Sequence, residues 1–344
     1  MTAFFTQTAF GNGLLIAGQV LLILLPLLFA LGVFMYADRK VWMAVQLQRA
    51  PTVLSVADLM QSLADLLKSA REGVVIPTGA DRTVFLLAPV VSLQTALIVW
   101  AVIPFNEGWI LADVNIAAFY VFAVLTLGVY GVILGGWASR KEHPLLGALQ
   151  SAAQMISYQV SLGLIIIAVI LSTGAGSFTG IVDAQAGPGG ILSWYVLPHF
   201  PMLLPFFISA LAVTNRPPFD RPAARLDLTA GYKVEYGPMP GLLFVVGELS
   251  AVVLMCALVA LLFLGGWLSP LPFLPDGFFW MFLKMLVVFA CFSAVRAIAP
   301  TYPAQEFMFL GWKVFVPLTL FWVVFVAFAA KFEWFWGIYA RWSA

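Results

Sequence analysis

Eight stretches of about twenty apolar residues, each nearly free of charge, follow one another along this chain of 344 residues and dictate what it can fold into. Crossing a hydrocarbon layer of roughly 30 Å takes about twenty helical residues, because each rises about 1.5 Å and every backbone N–H and C=O must be paired within the helix. We read the spans as residues 14–36, 83–104, 116–138, 152–173, 198–214, 241–265, 278–298 and 312–330. With 62% hydrophobic and 10% charged residues, the chain has too little polar side chain to coat a water-soluble body of this size, which excludes a soluble enzyme. The first stretch is too long for a secretory signal and no Lys or Arg precedes it, so it reads as a retained span. The expected fold is all-α: a single polytopic membrane helix bundle over residues 1–344, with about eight transmembrane helices and no internal repeat.

Basic residues divide the connections into two sets. The segment after the first span holds Arg39, Lys40, Arg49, Lys68, Arg71 and Arg82; that after the third holds Arg140 and Lys141; that after the fifth holds Arg216, Arg221, Arg225 and Lys233. The alternating connections, about 105–115, 174–197 and 266–277, hold none. Lys and Arg accumulate on the cytoplasmic side, so both termini are predicted outside, and residues 37–82 and 215–240 form cytoplasmic loops. Within the first of these, Leu59, Met60, Leu63, Leu66, Leu67 and Ala70 recur at helical spacing opposite Asp58, Gln61, Ser62, Asp65, Lys68 and Ser69, and Ser55 with Asp58 makes a capping box. This amphipathic helix either lies on the membrane surface or forms the lip of a hydrophobic cavity. A net charge of +1 gives no electrostatic case for a nucleic-acid partner.

Few residues carry candidate chemistry. Cys256 and Cys291 fall inside apolar runs with no CxxC spacing, so neither a metal nor an iron–sulfur site is expected in this chain. Gly11-Asn12-Gly13 and Gly174-Ala175-Gly176 lack the continuation a phosphate cradle needs. His143 reads as a surface histidine, His199 as an interfacial one beside prolines, and Trp100, Trp109, Trp137 and Trp267 as anchors near span ends. Glu248 and Lys284 each lie about two turns inside a span, where an ionisable group needs a partner, water or a task. Lys284 can snorkel outward on its long stem; Glu248 cannot reach so far. The 216–240 loop mixes Arg216, Asp220, Arg221, Arg225, Asp227, Lys233 and Glu235 with prolines, and is long enough to do more than connect two helices.

The run from Ala138-Ser139 through Leu145-Leu146-Gly147-Ala148-Leu149-Gln150-Ser151-Ala152-Ala153-Gln154-Met155-Ile156-Ser157-Tyr158 resembles the NuoH family, the quinone-proximal membrane subunit of respiratory complex I. Further stretches match it in order: Arg39-Lys40-Val41, Asp113-Val114-Asn115-Ile116, Thr214-Asn215-Arg216-Pro217-Pro218-Phe219-Asp220, Ala230-Gly231-Tyr232, Glu235-Tyr236 and Leu310-Gly311-Trp312-Lys313-Val314-Phe315. The likeness covers nearly the whole chain. It implies a subunit of a proton-translocating NADH:quinone oxidoreductase in the bacterial inner membrane, forming much of the channel for ubiquinone or another quinone. It binds no redox cofactor of its own by this resemblance; FMN and Fe–S clusters would sit on partners. Those partners would be the hydrophilic-arm Fe–S and quinone-site subunits on one side, and small membrane and antiporter-like subunits on the other.

The resemblance also implies a quinone cavity bordered by Arg39, Lys40, Arg216, Phe219 and Asp220, and a proton path through Asp227, Glu235, Glu248 and Lys284. Several positions depart from the family pattern. Asp38 stands where Glu is usual, Gln159 replaces a Glu, and the stretch Pro222-Ala223-Ala224-Arg225-Leu226-Asp227-Leu228 keeps one of three carboxylates. Two other readings follow from the same residues: the related membrane subunit of an energy-converting NiFe hydrogenase, and a non-pumping anchor for the hydrophilic arm.

Overall fold

The computed structural model describes residues 18, 27–38, 41, 64, 68–187, 189–216, 219, 231–271, 274–299 and 304–331. These residues form helices and turns, with no strand among them. Six helices are long and apolar enough to cross a membrane, Arg82–Val102, Ala117–Ala138, Glu142–Thr173, Pro238–Phe263, Phe278–Ile298 and Met308–Ala330; Leu27–Asp38 and Phe200–Val213 are apolar but shorter. The first expected span is described only in its second half. Most of the amphipathic helix expected near residues 55–70 lies outside the described residues, of which 64 and 68–71 are helical.

We number the elements used below α1 (Leu27–Asp38), α2 (Arg82–Ile98), α3 (Ala117–Ala138), α4 (Glu142–Thr173), α5 (Phe178–Asp183), α6 (Phe200–Val213), α7 (Pro238–Phe263), α8 (Phe278–Ile298), α9 (Ala304–Leu310) and α10 (Val316–Lys331). Asp81 starts α2 by accepting from the backbone N–H of Thr83 and Val84, supplying an acceptor for otherwise unpaired donors of the first turn. Gly174 ends α4 in the left-handed conformation at φ +69°. At 32 residues α4 is about 48 Å long, well beyond the roughly 30 Å hydrocarbon layer, and it begins ten residues before the expected span. The Leu145–Ser151 stretch is therefore the first turns of a helix and not a loop. Conversely, the fifth expected span is only the 14 residues of α6, because the chain before it turns through Trp194–His199 next to two prolines.

Helix packing in lipid gains little from apolar contact alone, so close approach and polar bonds matter. A Cβ on Gly131 of α3 would lie 2.9 Å from the Ser92 backbone nitrogen, and one on Gly247 of α7 would lie 3.3 Å from the Ser92 carbonyl oxygen. Side chains at those two positions would push α3 and α7 away from α2. Helix α7 is the most enclosed, with 67% of its apolar window buried, while Met308–Ala330 has 22% and faces outward. Trp100, expected to anchor at an interface, is instead buried: its indole N–H donates to Ser250 Oγ at 2.9 Å, and Ser250 donates to the Ala96 carbonyl. Trp267 is buried as well. His199 is likewise interior, its Nδ1 accepting from the Trp322 indole at 3.0 Å and its Nε2 lying 2.8 Å from Ser172 Oγ. Because Nδ1 accepts, the ring proton sits on Nε2 and the imidazole links α4, α6 and α10 in its neutral form.

Candidate functional site

Helices α2, α4 and α7 begin, and α1, α3, α6 and α8 end, at the end of the bundle where the basic residues gather; we call it the basic end. There α6 closes in a way its sequence explains. The Arg216 N–H donates to the Leu211 carbonyl and the Asn215 N–H to the Ala212 carbonyl, the paired bonds of a Schellman cap, with Asn215 left-handed at φ +48°. Asn tolerates that conformation better than other residues with a side chain, and the prolines that follow cannot extend the helix. Gln154 of α4 holds the same turn by donating to the Ala212 carbonyl at 3.0 Å and the Phe219 carbonyl at 3.3 Å. Phe219 is buried against Tyr158, with ring centroids 5.9 Å apart.

The cap aims Arg216 at the end of α1, where its Nη1 lies 3.8 Å from Asp38 Oδ2. From α8, Ser293 Oγ donates to Asp38 Oδ1 at 2.7 Å, and Arg296 Nη1 donates to Asp38 Oδ2 in a short bond. Ser293 and Arg296, three apart, share a helix face and meet the carboxylate together. Three helices far apart in sequence thus converge on one carboxylate, with Arg296 in close contact and Arg216 at longer range.

A second cluster surrounds Glu248, deep in the wall of α7. Tyr232 donates its hydroxyl proton to Glu248 Oε1 at 2.8 Å, and the Lys233 ammonium forms a short ion pair with Oε2. Both residues belong to the one-turn 3-10 helix Gly231–Lys233, which packs against α4. Nearby, Lys141 Nζ donates to Glu235 Oε1 at 2.7 Å, and the Tyr236 ring stacks on Phe85 with centroids 4.0 Å apart. Burial pushes the Tyr236 phenol well above its ordinary range, so it stays protonated and donates, here to the Gly135 carbonyl at 3.3 Å.

Glu248 faces a cavity of about 60 Å³, whose polar wall is made by Ser92, Thr95, Thr214, Asn215 and Tyr232. At about 15 Å³ for each water position, this holds on the order of four waters. It is far smaller than the several hundred cubic ångströms typical of a ligand site, so it suits water and not a quinone headgroup. Thr214 and Asn215 line this cavity, and Arg216, the next residue, contacts Asp38. One turn of chain therefore touches both clusters.

The structure brings Arg216, Phe219, Glu235 and Glu248 to this end of the bundle. Arg39, Lys40, Asp220 and Asp227 lie outside the described residues. Lys284 is elsewhere: its ammonium donates to the Gly266 carbonyl at 2.9 Å and the Leu268 carbonyl at 2.7 Å, and lies 3.9 Å from the Trp194 ring centroid. Those partners belong to the connection at the opposite end, in keeping with a lysine whose stem reaches toward the loop. Sequence reasoning did not single out Ser293, Arg296, Tyr232 or Gln154 as site residues. Arg296 offered a faint signal, a lone cation in the last turn of a span, but its partner could not be read from one sequence. Among the described residues no group of three or more His, Cys, Asp and Glu side chains is arranged to hold a metal ion.

A helical bundle in which six helices are long and apolar enough to cross a membrane, with a water-sized cavity beside a carboxylate and an arginine–carboxylate cluster at its basic end, defines a polytopic membrane protein. Residues 18–327 match the NADH dehydrogenase family model, and the chain belongs to that family. It is 59% identical over 343 residues to the H subunit of the NADH-quinone oxidoreductase of Roseobacter denitrificans, covering 100% of this chain and 99% of that one. The corresponding protein of a Jannaschia species is 62% identical over 321 residues, 93% of each chain, and that of Rhodobacter capsulatus 54% identical over 339 residues, 98% of each.

Proposed function

We propose that the chain is the quinone-proximal membrane subunit of a proton-translocating NADH:quinone oxidoreductase, placed in the bacterial inner membrane with its basic end toward the cytoplasm. It houses much of the quinone channel and carries the effect of quinone reduction into the bundle. FMN and Fe–S clusters on hydrophilic-arm partners supply the electrons; this chain supplies the channel wall, the charges and the water space. Neighbouring small membrane and antiporter-like subunits receive the signal.

The observation that carries this reading is the shared turn Thr214–Arg216, which borders the Glu248 cavity on one side and reaches Asp38 on the other. A quinone accepting electrons develops negative charge on its carbonyl oxygens, and a guanidinium is the side chain best suited to meet it. Arg216, 3.8 Å from Asp38, is the guanidinium carried by the turn that borders the Glu248 cavity, so a change of its partner is the one that would reach that cavity. Such an exchange pulls on the turn and changes the wall of the Glu248 cavity. The route for protons runs through Asp227, Glu235 and Glu248 with water between them, while Lys284 is committed to loop carbonyls and ties that connection to the bundle.

The test is Arg216→Ala in the assembled complex. Quinone reduction falls severalfold while NADH oxidation by an artificial acceptor persists; unchanged quinone kinetics contradict the reading.

A further inference from the structure

Among the described residues, Lys233 is the one cation in direct contact with the carboxylate that faces the water-sized cavity, and no role follows for it from the chain's family resemblance. Its position is fixed by the turn that bears it. Gly231 takes φ +70°, a left-handed conformation open to glycine, and a Cβ on Gly147 of α4 would come within 3.2 Å of the Gly231 backbone, so the turn is pressed against that helix. Tyr232 packs edge-on against Phe244 at 5.2 Å, and Tyr236 meets the same ring at 5.0 Å. Glu235, the other carboxylate on this segment, is paired with Lys141. Lys233 is thereby directed to Glu248.

The two side chains are 29% and 27% exposed, between the extremes that would make the pair inert. A fully exposed pair contributes little, and a dry one resists any change of charge. Here each Glu248 oxygen accepts one donor from the same turn: Oε1 from the Tyr232 hydroxyl and Oε2 from the Lys233 ammonium. Ser92, Thr95, Thr214 and Asn215 line the same cavity as Glu248, and no second acid or base is among the residues that line it.

We propose that Lys233 is a positioning residue for proton translocation, its ammonium holding the Glu248 carboxylate at the mouth of the cavity and leaving it when that carboxylate takes up a proton. The turn then responds to the charge on Glu248, and the charge on Glu248 to the turn. This inference rests on Glu248 lying on the proton route.

The experiment uses the whole purified complex in liposomes, with protons moved per NADH oxidised as the readout, so that differences in the amount assembled cancel. Lys233→Gln, Lys233→Arg, Glu248→Gln and the Lys233→Gln/Glu248→Gln pair are compared with the parent. The expected result for Lys233→Gln is a loss of about threefold or more in that ratio, because a carboxylate no longer held at the cavity takes up its proton in the wrong place for part of the turnovers. Lys233→Arg should restore most of it, and the paired variant should be no worse than Glu248→Gln alone. A parental ratio in Lys233→Gln, an Arg variant as poor as the Gln variant, or further loss in the pair each overturns the inference. If Glu248→Gln itself pumps like the parent, the route through Glu248 fails and this inference with it; a low Glu248→Gln beside a normal Lys233→Gln removes the inference alone.

Discussion

Asp38 at the end of α1 and Arg216 just beyond α6 stand 3.8 Å apart, carboxylate to guanidinium, with Arg296 and Ser293 closing on the same carboxylate from α8. Removing the carboxylate leaves two guanidinium groups facing each other. Asp38→Asn should therefore cost more quinone reductase activity than Arg216→Lys, on the order of tenfold for a lost half-buried charge contact of about 1.4 kcal/mol. Asp38→Glu, which keeps the charge on a longer stem, should recover most of it. Steady-state assays with quinone and with an artificial acceptor separate the effect from assembly.

A stability prediction comes from the interior imidazole. His199→Leu leaves the Trp322 indole N–H without its acceptor and removes the Nε2–H that Ser172 Oγ accepts, while the Ser172 hydroxyl keeps its own donation to the Ala168 carbonyl. The cost expected for one unpaired, half-buried donor is about 1–3 kcal/mol, visible as a lower melting temperature of the purified assembly. Combining it with Trp322→Phe removes the orphaned indole donor, and the paired variant should lose less than the two separate losses added together.

At the opposite end, Asp183 has its carboxyl pKa raised above the ordinary value, first by burial and then by the nearby charges of Glu107 and Asp113. The folded state then binds this proton more tightly than the unfolded chain does. Its favourable contribution is present in acid and is lost as pH rises through the raised value. Asp183→Asn removes the penalty, so the variant should melt above the parent at neutral pH, the gap closing below about pH 4 where the carboxyl is protonated in both states. A gap that widens in acid contradicts this.

Much of the basic end was legible in the residues, for stated reasons. Asn215-Arg216-Pro217 at the end of an apolar run implied a helix stop beside a cation, and the left-handed cap at Asn215 is that stop. Glu248 inside a span demanded a partner or water, and it has both a lysine and a cavity. What was not legible required knowing which helices touch. Arg296 meets Asp38 only because α1 and α8 pack together, and Trp100 is buried because Ser250 of α7 lies opposite it. Gln159, read as a lost carboxylate, is 3% exposed, and its Nε2 finds no hydrogen-bond partner among the described residues. An unpaired amide costs about 1–3 kcal/mol, so Gln159→Met should be neutral or stabilising, read as an unchanged or higher melting temperature of the purified assembly.

The orientation proposed from the basic loops is checked by labelling. A cysteine at Arg71 should resist an impermeant thiol reagent in intact cells and react once they are permeabilised. Reaction without permeabilisation would reverse the placement of the basic end.

The account rests most heavily on Glu248 as a working member of the proton route, and Glu248→Gln in liposomes tests it most directly. With a pH-sensitive dye inside and NADH and quinone supplied, the parent complex should acidify or alkalinise the lumen during turnover, depending on which way it is inserted. The variant should oxidise NADH with quinone yet move several times fewer protons per turnover, because an amide cannot take up and release the proton that a relay carboxylate carries. Equal proton movement by both would contradict the account.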